Sequence, residues 1–165
     1  MDRDGSHVRQ VTHFAPGAEE PAYSPTGEWI TFLSGTFQHT ALYVVRPDGT
    51  GLRKLTPRSM NAGHPSWSPD GQQIVFNTNI EKSNGRIWTV SLHGTLQQLT
   101  TGPNGLEDFE PTYSPDGHDI AFTRYVNDPA NADIWIMRAN GNHAHDVTPT
   151  SRGFDLAVTW APTHD

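Results

Sequence analysis

One pattern constrains this chain more than any other: a unit of some forty-five residues recurs three times and begins a fourth. PAYSPTGEWITF starts at Pro21, PSWSPDGQQIVF at Pro65 and PTYSPDGHDIAF at Pro111, and VTWAPTHD opens a further copy at Val158. The turn prolines Pro25, Pro69, Pro115 and Pro162 are separated by 44, 46 and 47 residues. A second series ends on threonine, at Thr12, Thr56, Thr100 and Thr148. Between the two series lie ALYVV (41–45), RIWTV (86–90) and DIWIM (133–137).

Each unit therefore holds four short apolar-polar segments divided by turns. The turns carry their own chemistry: Ser68-Pro69-Asp70-Gly71 and Ser114-Pro115-Asp116-Gly117 place Pro where φ must lie near −65° and Gly where φ turns positive. Pro47-Asp48-Gly49 and Asn140-Gly141 read as tight hairpins between the third and fourth segments. No helical periodicity interrupts them. Four strands per unit at this period predict radially arranged four-stranded blades. The fold expected is all-β, a partial β-propeller forming one domain over 1–165. Its complete blades span 21–56, 65–100 and 111–148, with an orphan fourth strand within 1–12 and an orphan first strand at 156–162. Closure of a ring takes at least about four blades, so the sequence reads as part of a larger ring or as a chain whose ends need covering. Exposed strand edges also predict self-association.

Composition narrows the partners. Eighteen acidic residues against eleven Lys and Arg give a formal net charge of −7, unlike the basic surface that nucleic acid requires. Cysteine is absent, which removes disulfides, thiolate zinc sites and thiol nucleophiles. No apolar run approaches the ~18 residues of a membrane helix. The polar start MDRDGSHVRQ does not read as a signal peptide.

The P-x-[WY]-S-P-D-G segment, the IVF and IAF strands, DIWIM and the closing LT together resemble the WD-like propeller repeat of the TolB type, over nearly the whole chain. That resemblance implies a first strand lying innermost along a central channel and a fourth strand outermost. It also implies a periplasmic or other extracytoplasmic location and a protein or peptide partner, as for the periplasmic six-bladed TolB. Similar blades serve as gating domains of prolyl-oligopeptidase-type serine peptidases and build oligogalacturonate lyases, so the repeat speaks to architecture before activity.

With first strands on the channel, Glu19, Glu20, His64, Asp108, Glu110 and Asp155 are expected at its mouth as a ligand-binding rim. Glu20, His64 and Glu110 are equivalent residues, each directly before a repeat proline. Such a ring could hold a divalent metal or a cationic group, but a strong metal site would show several histidines, and His64 is alone in that series. No cofactor is expected. The plainer alternative is a solvated rim whose glutamates bond neighbouring turns. Ten aromatics at repeat positions, among them Tyr23, Trp67, Tyr113 and Trp160, are expected as inter-blade core. The Asp-Gly turns lack the D-x-[DN]-x-[DN]-G spacing of calcium loops. His143 and His145 are expected to point the same way on an outer strand. No G-x-S-x-G occurs, and Ser24, Ser68 and Ser114 are turn residues, so no catalytic residue is expected. The reading is a non-enzymatic scaffold that presents its channel-side loops to a protein or peptide. The alternative is the propeller part of an enzyme.

Overall fold

A computed structural model of the chain describes residues 4–13, 17–78, 84–126, 132–149 and 160. Among the described residues twelve strands form three antiparallel four-stranded sheets, each in simple sequence order. Blade 1 comprises β1 (Glu19–Tyr23), β2 (Ile30–Thr36), β3 (His39–Val45) and β4 (Arg53–Lys54). Blade 2 comprises β5 (Ala62–Trp67), β6 (Gln73–Thr78), β7 (Arg86–Ser91) and β8 (Leu96–Gln98). Blade 3 comprises β9 (Leu106–Tyr113), β10 (Asp119–Val126), β11 (Ala132–Arg138) and β12 (His145–Asp146). The first strands begin upstream of the repeat prolines, because a bulge lets each strand continue past a residue that cannot donate.

Alternation along each sheet explains the packing. Leu33, Leu42, Val44 and Leu55 of blade 1 meet Trp67, Ile74, Phe76 and Val90 of blade 2. The opposite face of blade 2, through Val75 and Ile87, meets Tyr113, Ile120, Phe122 and Met137 of blade 3. The repeat phenylalanines Phe32, Phe76 and Phe122 are fully buried, as the sequence leads one to expect. Tyr23 departs from that expectation: it is 64% exposed, whereas its equivalents Trp67 and Tyr113 are each 8% exposed. Trp67 and Tyr113 are covered by the blade before theirs, whereas among the described residues only 4–13, 17 and 18 precede blade 1.

The repeated threonines have a specific task. Thr56, Thr100 and Thr148 turn their hydroxyls to the backbone N–H groups of Leu42, Ile87 and Ile134, at 2.9, 3.0 and 2.9 Å. The preceding residues Leu55, Leu99 and Val147 donate to the carbonyls of the same three residues. Each fourth strand is thus fastened by one backbone bond and one side-chain bond. Val11 packs on Phe32, Tyr43 and Val45, and Arg9 Nη2 donates to the Pro47 carbonyl at 2.6 Å. One repeat later, Arg53 Nη1 donates to the Leu92 carbonyl at 3.0 Å. Residues 9–11 therefore make the cross-blade contacts of a fourth strand, although no strand is formed there. The expected first strand at 156–162 lies outside the described residues except for Trp160, whose Nε1 donates to the Thr112 carbonyl at 3.3 Å. Trp67 Nε1 makes the same bond to Ala22 at 3.1 Å.

Candidate functional site: the bulged rim of the first strands

All three first strands are interrupted in the same place. The register slips between Glu19 and Ala22, between Gly63 and Ser66, and opposite Ala121 to Thr123. At each slip the residue before the proline is left-handed: Glu20 at φ 48°, His64 at 48° and Glu110 at 52°. A residue before proline ordinarily avoids that region for an extended one, and a left-handed non-glycine costs on the order of 1–3 kcal/mol. This conformation recurs at the equivalent position of all three blades. It turns the side chain out of the strand's regular alternation and leaves the three residues in a row, since β5 packs against β1 on one side and β9 on the other.

The bulge residues are linked in series. The Glu20 carboxylate accepts the His64 backbone N–H at 2.8 Å. Buried Asn77, on β6 opposite the bulge, accepts with Oδ1 from His64 Nδ1 at 3.0 Å and from the Glu110 backbone N–H at 3.3 Å. An amide oxygen only accepts, so His64 donates in that bond through Nδ1. Its Nε2 then faces the Glu110 carboxylate at 3.9 Å. Asn77 Nδ2 is buried without a partner among the described residues. Glutamates bonding the neighbouring turn, the plainer sequence expectation, are thus what Glu20 shows. Burial first, then the charges of Glu110 and Glu107, pushes the Tyr125 phenol above its ordinary value.

Glu19 is exposed beside Glu20. Asp108 does not join them: it is 0% exposed, and Arg124 holds it through Nε and Nη2 at 2.6 and 3.0 Å. The left-handed Glu110 breaks the alternation that would have put Asp108 and Glu110 on one face. Asp155 lies outside the described residues. His143 and His145 also differ from expectation: His143 is left-handed and precedes β12, so strand alternation does not align the pair, and the His143 carbonyl accepts from His145 Nδ1 at 3.0 Å. Among the described residues no three His, Asp or Glu side chains gather as a metal site would require. The hydroxyls of Ser68 and Ser114 are taken up by Asp70 and Asp116 at 2.6 Å and by the amides of Gln73 and Asp119 at 3.0 Å. Sequence reading missed Asn77 and Arg124. The available signal was a departure from the repeat, since blade 1 carries Leu33 and Ser34 at the same places.

The TolB beta propeller domain family matches residues 1–163. The chain belongs to that family. Among solved structures, TolB from Acinetobacter baumannii is 21% identical and superposes with a TM-score of 0.70, over 92% of this chain and 37% of that one. A putative TolB from Agrobacterium tumefaciens is 24% identical with a TM-score of 0.65, over 75% and 46%. A puromycin-hydrolysing peptidase from Mycobacterium tuberculosis is 16% identical with a TM-score of 0.73, over 92% and 25%. This chain thus spans less than half the length of each. No curated protein matches. Among the described residues no helix is long and apolar enough to cross a membrane.

Proposed function

We propose that the chain is a non-enzymatic TolB-like scaffold that binds a protein or peptide segment at its channel-side rim, in an extracytoplasmic compartment. The observation that carries this reading is the repeated left-handed bulge, which sets Glu20, His64 and Glu110 in one linked row. Strain retained at equivalent places is a pointer to a site, and loops on a rigid β frame are where binding residues collect. Acceptors dominate the row, and the chain carries a net charge of −7. The ligand chemistry that fits is a lysine-bearing segment, whose ammonium supplies three donors.

The test is a calorimetric titration with lysine-rich and glutamate-rich peptides of equal length. The lysine peptides should bind, and Glu20→Gln, His64→Gln and Glu110→Gln made together should abolish that binding while the melting profile is retained. Unchanged binding in the triple variant removes the rim from the function. The second reading, an enzyme's propeller domain, draws on the fold shared with the peptidase. It predicts a G-x-S-x-G hydrolase segment encoded in the same gene.

A further inference from the structure

The two described blade junctions are built on the same plan, yet at the turn side of the sheets one is filled and the other is open. That side lies at the opposite end of the first strands from the rim. Between blades 1 and 2, the ring of Trp29 sits under two guanidinium groups, with Arg46 and Arg53 centred 5.0 and 4.9 Å from it. Arg53 goes on to donate to the Leu92 carbonyl, and Trp67 closes the bottom through its bond to Ala22.

Between blades 2 and 3 every one of these groups is replaced by something smaller. The repeat puts Gln73 where blade 1 has Trp29, Gln97 for Arg53, Tyr113 for Trp67, Ala139 for Leu92 and Asn140 for His93. A cleft of about 310 Å³ remains, lined by these five residues and by Asp70, which stands where blade 1 has Thr26. The exchange also changes the chemistry. Two guanidinium groups and two indoles give way to three side-chain amides, a phenol and a carboxylate.

The charge state of the cleft is defined. The Ser68 hydroxyl, then the Gln72 backbone N–H, holds the Asp70 carboxyl below the usual aspartate range, so it is ionised at neutral pH. Both bonds fall on Oδ1, and no described residue bonds Oδ2. Burial, with the Asp70 charge second, pushes the Tyr113 phenol up to about 12, so it stays a neutral hydrogen-bonding group.

We infer that this cleft binds a guanidinium cation, the arginine side chain of a peptide, in the place that Arg53 and Trp29 fill one blade earlier. The planar group carries five N–H donors and no acceptor. The cleft offers the matching set: the free oxygen of Asp70, the amide oxygens of Gln73 and Gln97, and the Ala139 carbonyl, whose counterpart Leu92 already accepts from an arginine. The Asn140 amide oxygen at its edge already accepts the Asn142 backbone N–H at 3.0 Å. A charged fork against a carboxylate is the stronger and more directional kind of hydrogen bond. This inference is independent of the rim, because none of Glu19, Glu20, His64, Asp108 and Glu110 lines the cleft.

The experiment is an NMR titration of the isotope-labelled 165-residue chain with N-acetyl-arginine methylamide. Its citrulline counterpart serves as the uncharged isostere, and free L-arginine as a second arm that separates a peptide side chain from the free amino acid. Saturable shifts are expected at the amides of Asp70, Gln73, Gln97 and Asn140, with citrulline weaker by about tenfold or more. Asp70→Asn should lower the arginine affinity by a similar factor. Gln73→Trp with Gln97→Arg, which rebuilds the blade 1 filling, should abolish binding; Gln97→Arg alone does the same with less repacking if the double variant folds poorly. The Glu20, His64 and Glu110 triple variant should bind as the parent does, so failure at the rim and failure here are told apart. Equal binding of citrulline, no saturable shift, or full binding by both filled variants would overturn the inference. Binding of free L-arginine alone would overturn the peptide assignment.

Discussion

Asp108 and Arg124 stand where blade 2 has Ala62 and Thr78, and this exchange replaces a small neutral pair with a buried ion pair. The guanidinium lies 4.4 Å from the Trp135 ring centre and 5.1 Å from that of Phe122, so it is enclosed by the blade 2–3 core rather than by solvent. A buried pair of this kind is weak evidence of net stabilisation, but removing one partner leaves the other charge stranded at about 3–5 kcal/mol. Asp108→Asn should therefore lower the urea-unfolding free energy by about that amount, and the double change Asp108→Ala with Arg124→Thr, which copies blade 2, should recover most of it. A single variant as stable as the parent would show that the pair is solvated. Little of this was legible in the sequence. Asp108 sits two residues before Glu110 in a strand, and simple alternation puts both at the rim; only the positive φ of Glu110 reveals that they part. Glu20, His64 and Glu110 were legible, because a proline following at each equivalent place survives any shift of strand boundary.

At the scale of elements, the closing threonine shows what repeated sequence conveys and what it leaves out. The recurrence of Thr56, Thr100 and Thr148 is plain from the sequence, but their bonds to Leu42, Ile87 and Ile134 are not. The fourth strands are only two or three residues long, so a hydroxyl that bonds an inner-strand N–H extends a ladder the backbone cannot continue. Ile87 is fully buried, and its N–H has no water to turn to once the hydroxyl is lost. Thr100→Val keeps the shape and should cost about 1–3 kcal/mol, the penalty of an unsatisfied buried donor. Thr100→Ser, which keeps the oxygen, should cost clearly less. Hydrogen exchange at the Ile87 amide reads the same bond directly: it should quicken in the valine variant and stay slow in the serine one. Equal protection in both would assign the threonine to packing alone.

At the scale of the molecule, the three described blades form a stack whose neighbours meet face to face, and its two outer faces differ from its two inner junctions in a measurable way. On the first face Tyr23 is 64% exposed where Trp67 and Tyr113 are 8%. On the last, Val147 is 42% exposed where its equivalent Leu55 is 8%. These faces are complementary in kind, since each inner junction joins one of each: the first-strand aromatic of one blade docks on the far face of the blade before it. On blade 3 that place is held by Trp160 through its bond to the Thr112 carbonyl, so the Tyr23 of another copy has to displace it. Repeat arrays of this kind stay apart in solution when their exposed outer faces are polar, and apolar residues of the junction type sit on the outer faces of the three described blades. With Tyr23 of one copy replacing Trp160 on blade 3 of the next, the 165-residue chain should associate head to tail, its weight-average sedimentation coefficient rising with concentration. Tyr23→Lys together with Val147→Lys should flatten that dependence. Both side chains are largely exposed, so the double change should move stability by no more than about 1 kcal/mol. A parent chain whose sedimentation is independent of concentration would mean that the two faces do not pair. The exposed tyrosine would then be an ordinary surface residue, and the contacts of residues 9–11 with blade 1 would be cover enough for that end.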